Sequence, residues 1–158
     1  MRPVLALLVA AGIGAPVHAQ DVPVCPFKPA ELEAALGEKF EEGKPGMAYG
    51  TSGIDVRSCQ YASRRWSLRV GTQVYKNAPD AKKFGTALAG KLVPVAGDPD
   101  GAVFQEGQGD NTSPTVWYER RGTVVELRVG GVWYTDPSRR PAEMEALRAK
   151  LLKLRRVP

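Results

Sequence analysis

Residues 66–75 alternate without a break: Trp66, Leu68, Val70, Thr72 and Val74 set against Ser67, Arg69, Gly71, Gln73 and Tyr75. A period of two sends successive side chains to opposite faces, so the run predicts a half-buried antiparallel strand with one face on a core. Such a strand needs neighbours along its edges and a cover for its apolar side. Residues 54–61 read as the strand before it, with Cys59 and Tyr61 on one face and residues 62–65 as the turn. Residues 115–120 and 123–129 read as a hairpin through Arg121-Gly122, in which Val125, Leu127 and Val129 face one way and Val124, Glu126 and Arg128 the other. Runs at 92–95 and 102–105 supply short strands, and 132–134 extend the sheet past Gly130-Gly131.

Three segments carry helical spacing. Pro29 suits a first helical turn, Leu32, Ala35 and Leu36 share a face, and Gly37 is placed to end the helix. Pro79 opens a second, with Ala81, Phe84, Ala87 and Leu88 on one side before Gly90. In the third, Met144, Leu147, Leu151 and Leu154 form one apolar stripe behind Pro141. Glu143 and Glu145 lie near its start and Arg148, Lys150, Lys153, Arg155 and Arg156 towards its end, as the helix dipole favours. Residues 43–53 are glycine-rich without periodicity and read as a mobile loop, and residues 107–114 as an exposed one. The expected fold class is α+β: a twisted antiparallel sheet with helices packed on one face, in a single domain over residues 20–158.

The first 19 residues carry an export pattern: Arg2, an apolar run at 4–11, and Val17-His18-Ala19 as a small-x-small cleavage site. The run is too short and too broken by Gly12, Gly14 and Pro16 to span a bilayer, so no stable membrane span is expected once it is removed. His18 is the one histidine of the chain. Its loss with the signal removes every Ser-His-Asp or Cys-His mechanism and every zinc site that needs imidazole. A periplasmic or secreted location also oxidises thiols. Cys25 and Cys59 are the two cysteines, and a bridge between them would stabilise the fold by about 4 kcal/mol through loop closure. Their separation does not match the Cys-x-x-Cys spacing of a redox pair, and two free thiols are the remaining alternative.

Cys25 before a short helix with Leu32 and Gly37, Cys59 and Tyr61 as Cys-x-Tyr, Ala81 and Phe84 as Ala-x-x-Phe, and Gly97, Asp100 and Ala102 around a turn make up an order of motifs. That order resembles small exported bacterial cell-envelope domains of unknown function, including ones found in actinobacterial lipoproteins. The resemblance implies an envelope location and a helix-covered antiparallel sheet, and it implies no activity. Where such domains show Gly-x-Gly-Asp, this chain has Gly97-Asp98-Pro99-Asp100, and no lipid-bearing cysteine follows the apolar run.

Several constellations compete as sites. Asp98, Asp100, Glu106 and Asp110 gather acidic oxygens near two loops. They lack the fixed offsets of a calcium loop, and turn chemistry explains the aspartates, so no metal and no cofactor is expected. Glu106 and Asp110 are the pair for a carboxylate-based envelope glycan hydrolase. Trp117-Tyr118 and Trp133-Tyr134 each place adjacent rings on opposite faces of a strand, so one ring of each pair leaves the core face. These four form the leading candidate surface for stacking on an envelope glycan or protein partner. The basic run Arg148, Lys150, Lys153, Arg155 and Arg156 reads as a solvated face or a contact for anionic partners, nucleic acid excluded by the export pattern. The expectation is a non-enzymatic exported binding domain, with the hydrolase and a structural or inhibitory accessory protein docking by its sheet edge as alternatives.

Overall fold

The computed structural model describes residues 22–106, 113–132 and 135–157. The expected signal peptide (1–19), Asp110, and the Trp133-Tyr134 pair lie outside the described residues. Within them the chain runs α1 (Pro29–Leu36), β1 (Lys44–Gly50), β2 (Ile54–Ala62), β3 (Ser67–Tyr75), α2 (Ala78–Ala81), β4 (Lys91–Pro94), β5 (Val103–Glu106), β6 (Thr115–Arg120), β7 (Thr123–Gly130) and α3 (Arg140–Leu151). The strands form one antiparallel sheet in the order β1-β2-β3-β7-β6-β5-β4. The fold class is α+β, as the alternation requires, and Cys25 is bonded to Cys59.

β3 lies inside the sheet, between β2 and β7, and shows why its pattern is so clean: Leu68, Val70, Thr72 and Val74 are buried while Arg69 is exposed. The register places Val70 opposite Leu127, and Leu127 opposite Val116, so three strands present one apolar row. α1 and α3 cover that row with Leu32, Leu36, Leu147 and Leu151, each no more than 1% exposed. Gly37 takes a left-handed φ of 77° and ends α1 where expected. The hairpin turn Arg121-Gly122 has φ of 52° and 79°, the type I′ geometry that matches the twist of its strands.

Two buried tyrosines on this face hold the two ends of the described chain. The Tyr61 hydroxyl accepts the Phe27 N–H at 2.9 Å, and the Tyr118 hydroxyl accepts the Val157 N–H at 2.9 Å. Burial raises both phenol pKa values, that of Tyr118 to about 12. A buried N–H and a buried O–H each lacking a partner would be costly, so each bond fixes its segment in place.

Three expectations are corrected. The stretch read as a mobile loop at 43–53 contains β1, an edge strand exposed along its whole length. With neither face buried it has no alternation to read, and pairing to β2 alone makes it a strand. The second helix is shorter than expected: α2 is one turn, followed by a separate 3₁₀ turn at Phe84–Ala87. The segment leaves α-helical geometry at Lys82-Lys83, and Gly85-Thr86, weak helix formers, lie within the 3₁₀ turn. Its apolar side covers the face of the sheet away from α1 and α3, where Ala81, Phe84 and Leu88 meet Trp117, Val124 and Val103. Finally, β7 ends at Gly130, and Val132 is a buried core residue in a turn rather than a strand extension.

Candidate functional site

Trp117 and Tyr118 do point to opposite faces of β6, but neither ring reaches the surface. Tyr118 is 0% exposed in the main core and Trp117 is 7% exposed in the smaller cluster under α2, its indole N–H donating to Gln105 Oε1 at 2.8 Å. The expected open stacking pair is therefore corrected: the short α2 segment supplies a second cover that a one-sided sheet would lack.

The basic run is also not a free face. Lys150 Nζ donates to the Leu36 carbonyl at 3.0 Å, closing the C-terminal end of α1. Arg148 pairs with Glu145 at 3.6 Å and lies 5.7 Å over the Phe104 ring. Arg155 pairs with Glu31 at 2.7 Å, donates to the Pro26 carbonyl and lies over Phe27. The Glu31 carboxylate accepts the Lys28 N–H as well, and these bonds hold its pKa below the ordinary glutamate value. Arg156 lies 4.5 Å over the Tyr118 ring and pairs with Asp98 and, at 3.5 Å, Asp100. Lys153 is exposed. Residues 152–157 thus form a strap across the helix-covered face.

The same contacts account for the acidic loop. Asp98 Oδ1 accepts the N–H groups of Asp100 and Ala102, as turn aspartates do, while its other oxygen takes Arg156. Glu106 pairs with Lys91 at 3.0 Å. These carboxylates neutralise arginine and lysine, and Asp98 and Asp100 sit behind the strap rather than in a groove.

Two open regions stand out among the described residues. The first is the free edge of the sheet at β1. Met47 and Tyr49, 49% and 51% exposed, are the large apolar side chains left at the described surface, and both lie on this strand. Register with β2 breaks between Pro45 and Ala48, and the Ser58 hydroxyl fills the bulge by accepting the Met47 N–H at 2.9 Å. Gly43 leads into the strand against the disulfide: a Cβ there would stand 2.6 Å from Cys59 Sγ and from the Tyr61 ring. Beside it a groove of about 300 Å³ is lined by Glu41, Glu42, Lys44, Pro45, Gly46 and Gln60.

The second is a cleft of about 430 Å³ between the β2–β3 turn and the start of α3. Arg64, Arg65 and Trp66 form one wall and Thr135, Arg139 and Glu143 the other. None of these residues was singled out by sequence as a site. Met47 and Tyr49 carry no periodic signal, and Arg64-Arg65 reads as an ordinary polar turn until α3 is folded across it.

No family model matches the chain, and no curated protein is similar enough to serve as a relative. Among solved structures, the chain is similar in fold to the extracellular domain of PknH from Mycobacterium tuberculosis, at 14% sequence identity and a TM-score of 0.51, over 88% of this chain and 98% of that one.

Proposed function

We propose that this protein is an exported, non-catalytic recognition domain that receives an extended segment of a partner polypeptide along β1. The observation that carries the reading is the coincidence of a strand edge unpaired among the described residues with Met47 and Tyr49, half-exposed on that same strand. An open edge presents unsatisfied N–H and C=O groups whose natural complement is another strand, and exposed apolar side chains beside it supply specificity. The opposite edge is poorer: β4 has four residues and carries Pro94, which lacks an N–H. Export is supported by the disulfide, which belongs to oxidising compartments. Among the described residues no helix is long and apolar enough to cross a membrane. The non-catalytic reading is supported by the acidic side chains themselves, since Asp98 and Asp100 are ion-paired with Arg156 and Glu106 with Lys91.

A photo-crosslinking phenylalanine derivative in place of Tyr49, in the protein expressed in its native host, tests this. The expected product is a discrete adduct whose partner peptide maps next to β1 and which fades when Met47→Ser is added. An adduct of twice the chain mass would mean that a second copy occupies the edge. That outcome, or no adduct from a folded and exported protein, overturns the proposal.

A further inference from the structure

The cleft at the Trp66 end of the sheet has a charge arrangement that packing does not explain. Arg65, in its wall, is held on both arms, by Glu38 at 3.4 Å and Glu143 at 2.8 Å, and its guanidinium lies 4.8 Å from the centre of the Trp66 ring. Arg64 and Arg139 flank it on the two walls, both exposed, and among the described residues neither forms an ion pair. Asp136 also lines the cleft, and its charge acts on Arg139 without an ion-pair contact. Asp136 accepts both the N–H and the O–H of Ser138, at 2.8 and 2.7 Å, and those bonds lower its pKa. Trp66 is 7% exposed and lies beneath Arg65, so its ring supports the wall and leaves little apolar surface in the cleft.

We propose that this cleft binds a small ligand through an oxyanion, a carboxylate or a phosphate group, held between Arg64 and Arg139, with the ligand's body filling the rest of the concavity. A guanidinium offers planar, paired N–H donors matched to either group. With Glu143 taken by Arg65, the two guanidinium groups of Arg64 and Arg139 outnumber the single charge of Asp136 in the cleft, an excess that favours an anion over a neutral guest. The volume of about 430 Å³ falls in the range of sites for small organic molecules and is too large for a bare inorganic anion to fill. Arg65 is a positioning residue here. Its ties to Glu38 and Glu143 hold the β2–β3 turn against α3 and so set the distance between the two walls. The site is separate from β1, and nothing in it depends on the strand-edge reading.

The test uses benzoate and phenyl phosphate as probes, with acetate and inorganic phosphate as their small counterparts, all at fixed ionic strength. The readout is the Trp66 indole N–H resonance of the whole exported chain, assigned by Trp66→Phe. Saturable shifts with benzoate or phenyl phosphate, tighter than with the small anions, are expected, and whichever aromatic anion saturates first assigns the group. Arg64→Gln with Arg139→Gln should weaken that probe by about tenfold or more, the loss of a charge-assisted bond, without changing the melting temperature. Arg139→Lys should retain part of the affinity by keeping the charge. A shift that does not saturate, that survives the double substitution, or that chloride reproduces at equal concentration overturns the proposal.

Discussion

Arg155 and Arg156 at one end of the molecule and Arg64 and Arg139 at the other are chemically alike and differ in every other respect. The first two lie on a strap where each guanidinium stacks on an aromatic ring and meets a carboxylate. The second two line an open cleft and meet no carboxylate within ion-pair distance among the described residues. What decides the role is whether the fold brings an acid to the arginine. On the strap, Asp98, Asp100 and Glu31 come from elements distant in sequence, so charge there becomes tertiary structure. In the cleft, Glu38 and Glu143 are taken by Arg65, while Asp136 is hydrogen-bonded to Ser138 and acts on Arg139 only at a distance. The contrast predicts a gradient of effects, largest where the strap is anchored and smallest at the cleft.

The strongest effect belongs to the disulfide, because Pro26 and Phe27, which receive Arg155, are held to the sheet by Cys25. Replacing both cysteines with serine should cost about 4 kcal/mol in denaturant unfolding, and amide exchange in residues 152–157 should accelerate along with it. Slower or unchanged exchange there would show that the strap stands without its platform. Next comes Arg156→Met. Asp98 is 7% exposed at its side chain, so removing the guanidinium leaves a nearly buried carboxylate with only its two N–H donors. A loss of about 2–3 kcal/mol is expected. Arg155→Met should cost less, because its side chain is 49% exposed and the solvent screens the pair.

Tyr118 sharpens the comparison through pH. Its phenol titrates at about 12 in the fold against 10.0 in the unfolded chain. Because the folded value is the higher, the folded protein keeps the proton over a range where the unfolded chain has already lost it. The stabilisation is complete below pH 10 and is lost as pH rises from 10 to 12, a change of about 2–3 kcal/mol at 1.36 kcal/mol per unit. Tyr118→Phe should cost about 1 kcal/mol at neutral pH, for the unpaired Val157 N–H, and should flatten that alkaline slope. An unchanged slope would assign the alkaline loss to other groups.

The parts of this molecule that could be read from sequence are those that bury one side. β3, the β6–β7 hairpin, α1 and α3 each turn an apolar stripe towards one core, and a stripe leaves a period. β1 buries neither side, so Lys44 to Gly50 looks like a loop. Ala81, Phe84 and Leu88 keep a helical spacing, yet the α-helix stops at Lys82-Lys83 and only a 3₁₀ turn follows. The polar network of the strap left no trace at all. Arg156 and Asp98 are 58 positions apart, and nothing local to either says that they meet. The strand alone fixes the opposite directions of Trp117 and Tyr118, whereas their burial depends on what lies above each face.

The smallest effect completes the comparison. Arg64→Ala removes a guanidinium that is exposed and has no carboxylate partner among the described residues. Nothing is left unsatisfied by its loss, so the change in stability should stay within about 0.5 kcal/mol of zero. Arg65→Ala, one position away, should cost more, about 1 kcal/mol, because it frees Glu38 and Glu143 together and uncovers Trp66. Thermal melts of the two variants side by side decide the matter. If Arg64→Ala proves as costly as Arg156→Met, the cleft arginines are structural like those of the strap. If it costs nothing while Arg65→Ala does, the fold holds the walls of the cleft with one arginine and leaves its neighbour free for whatever enters.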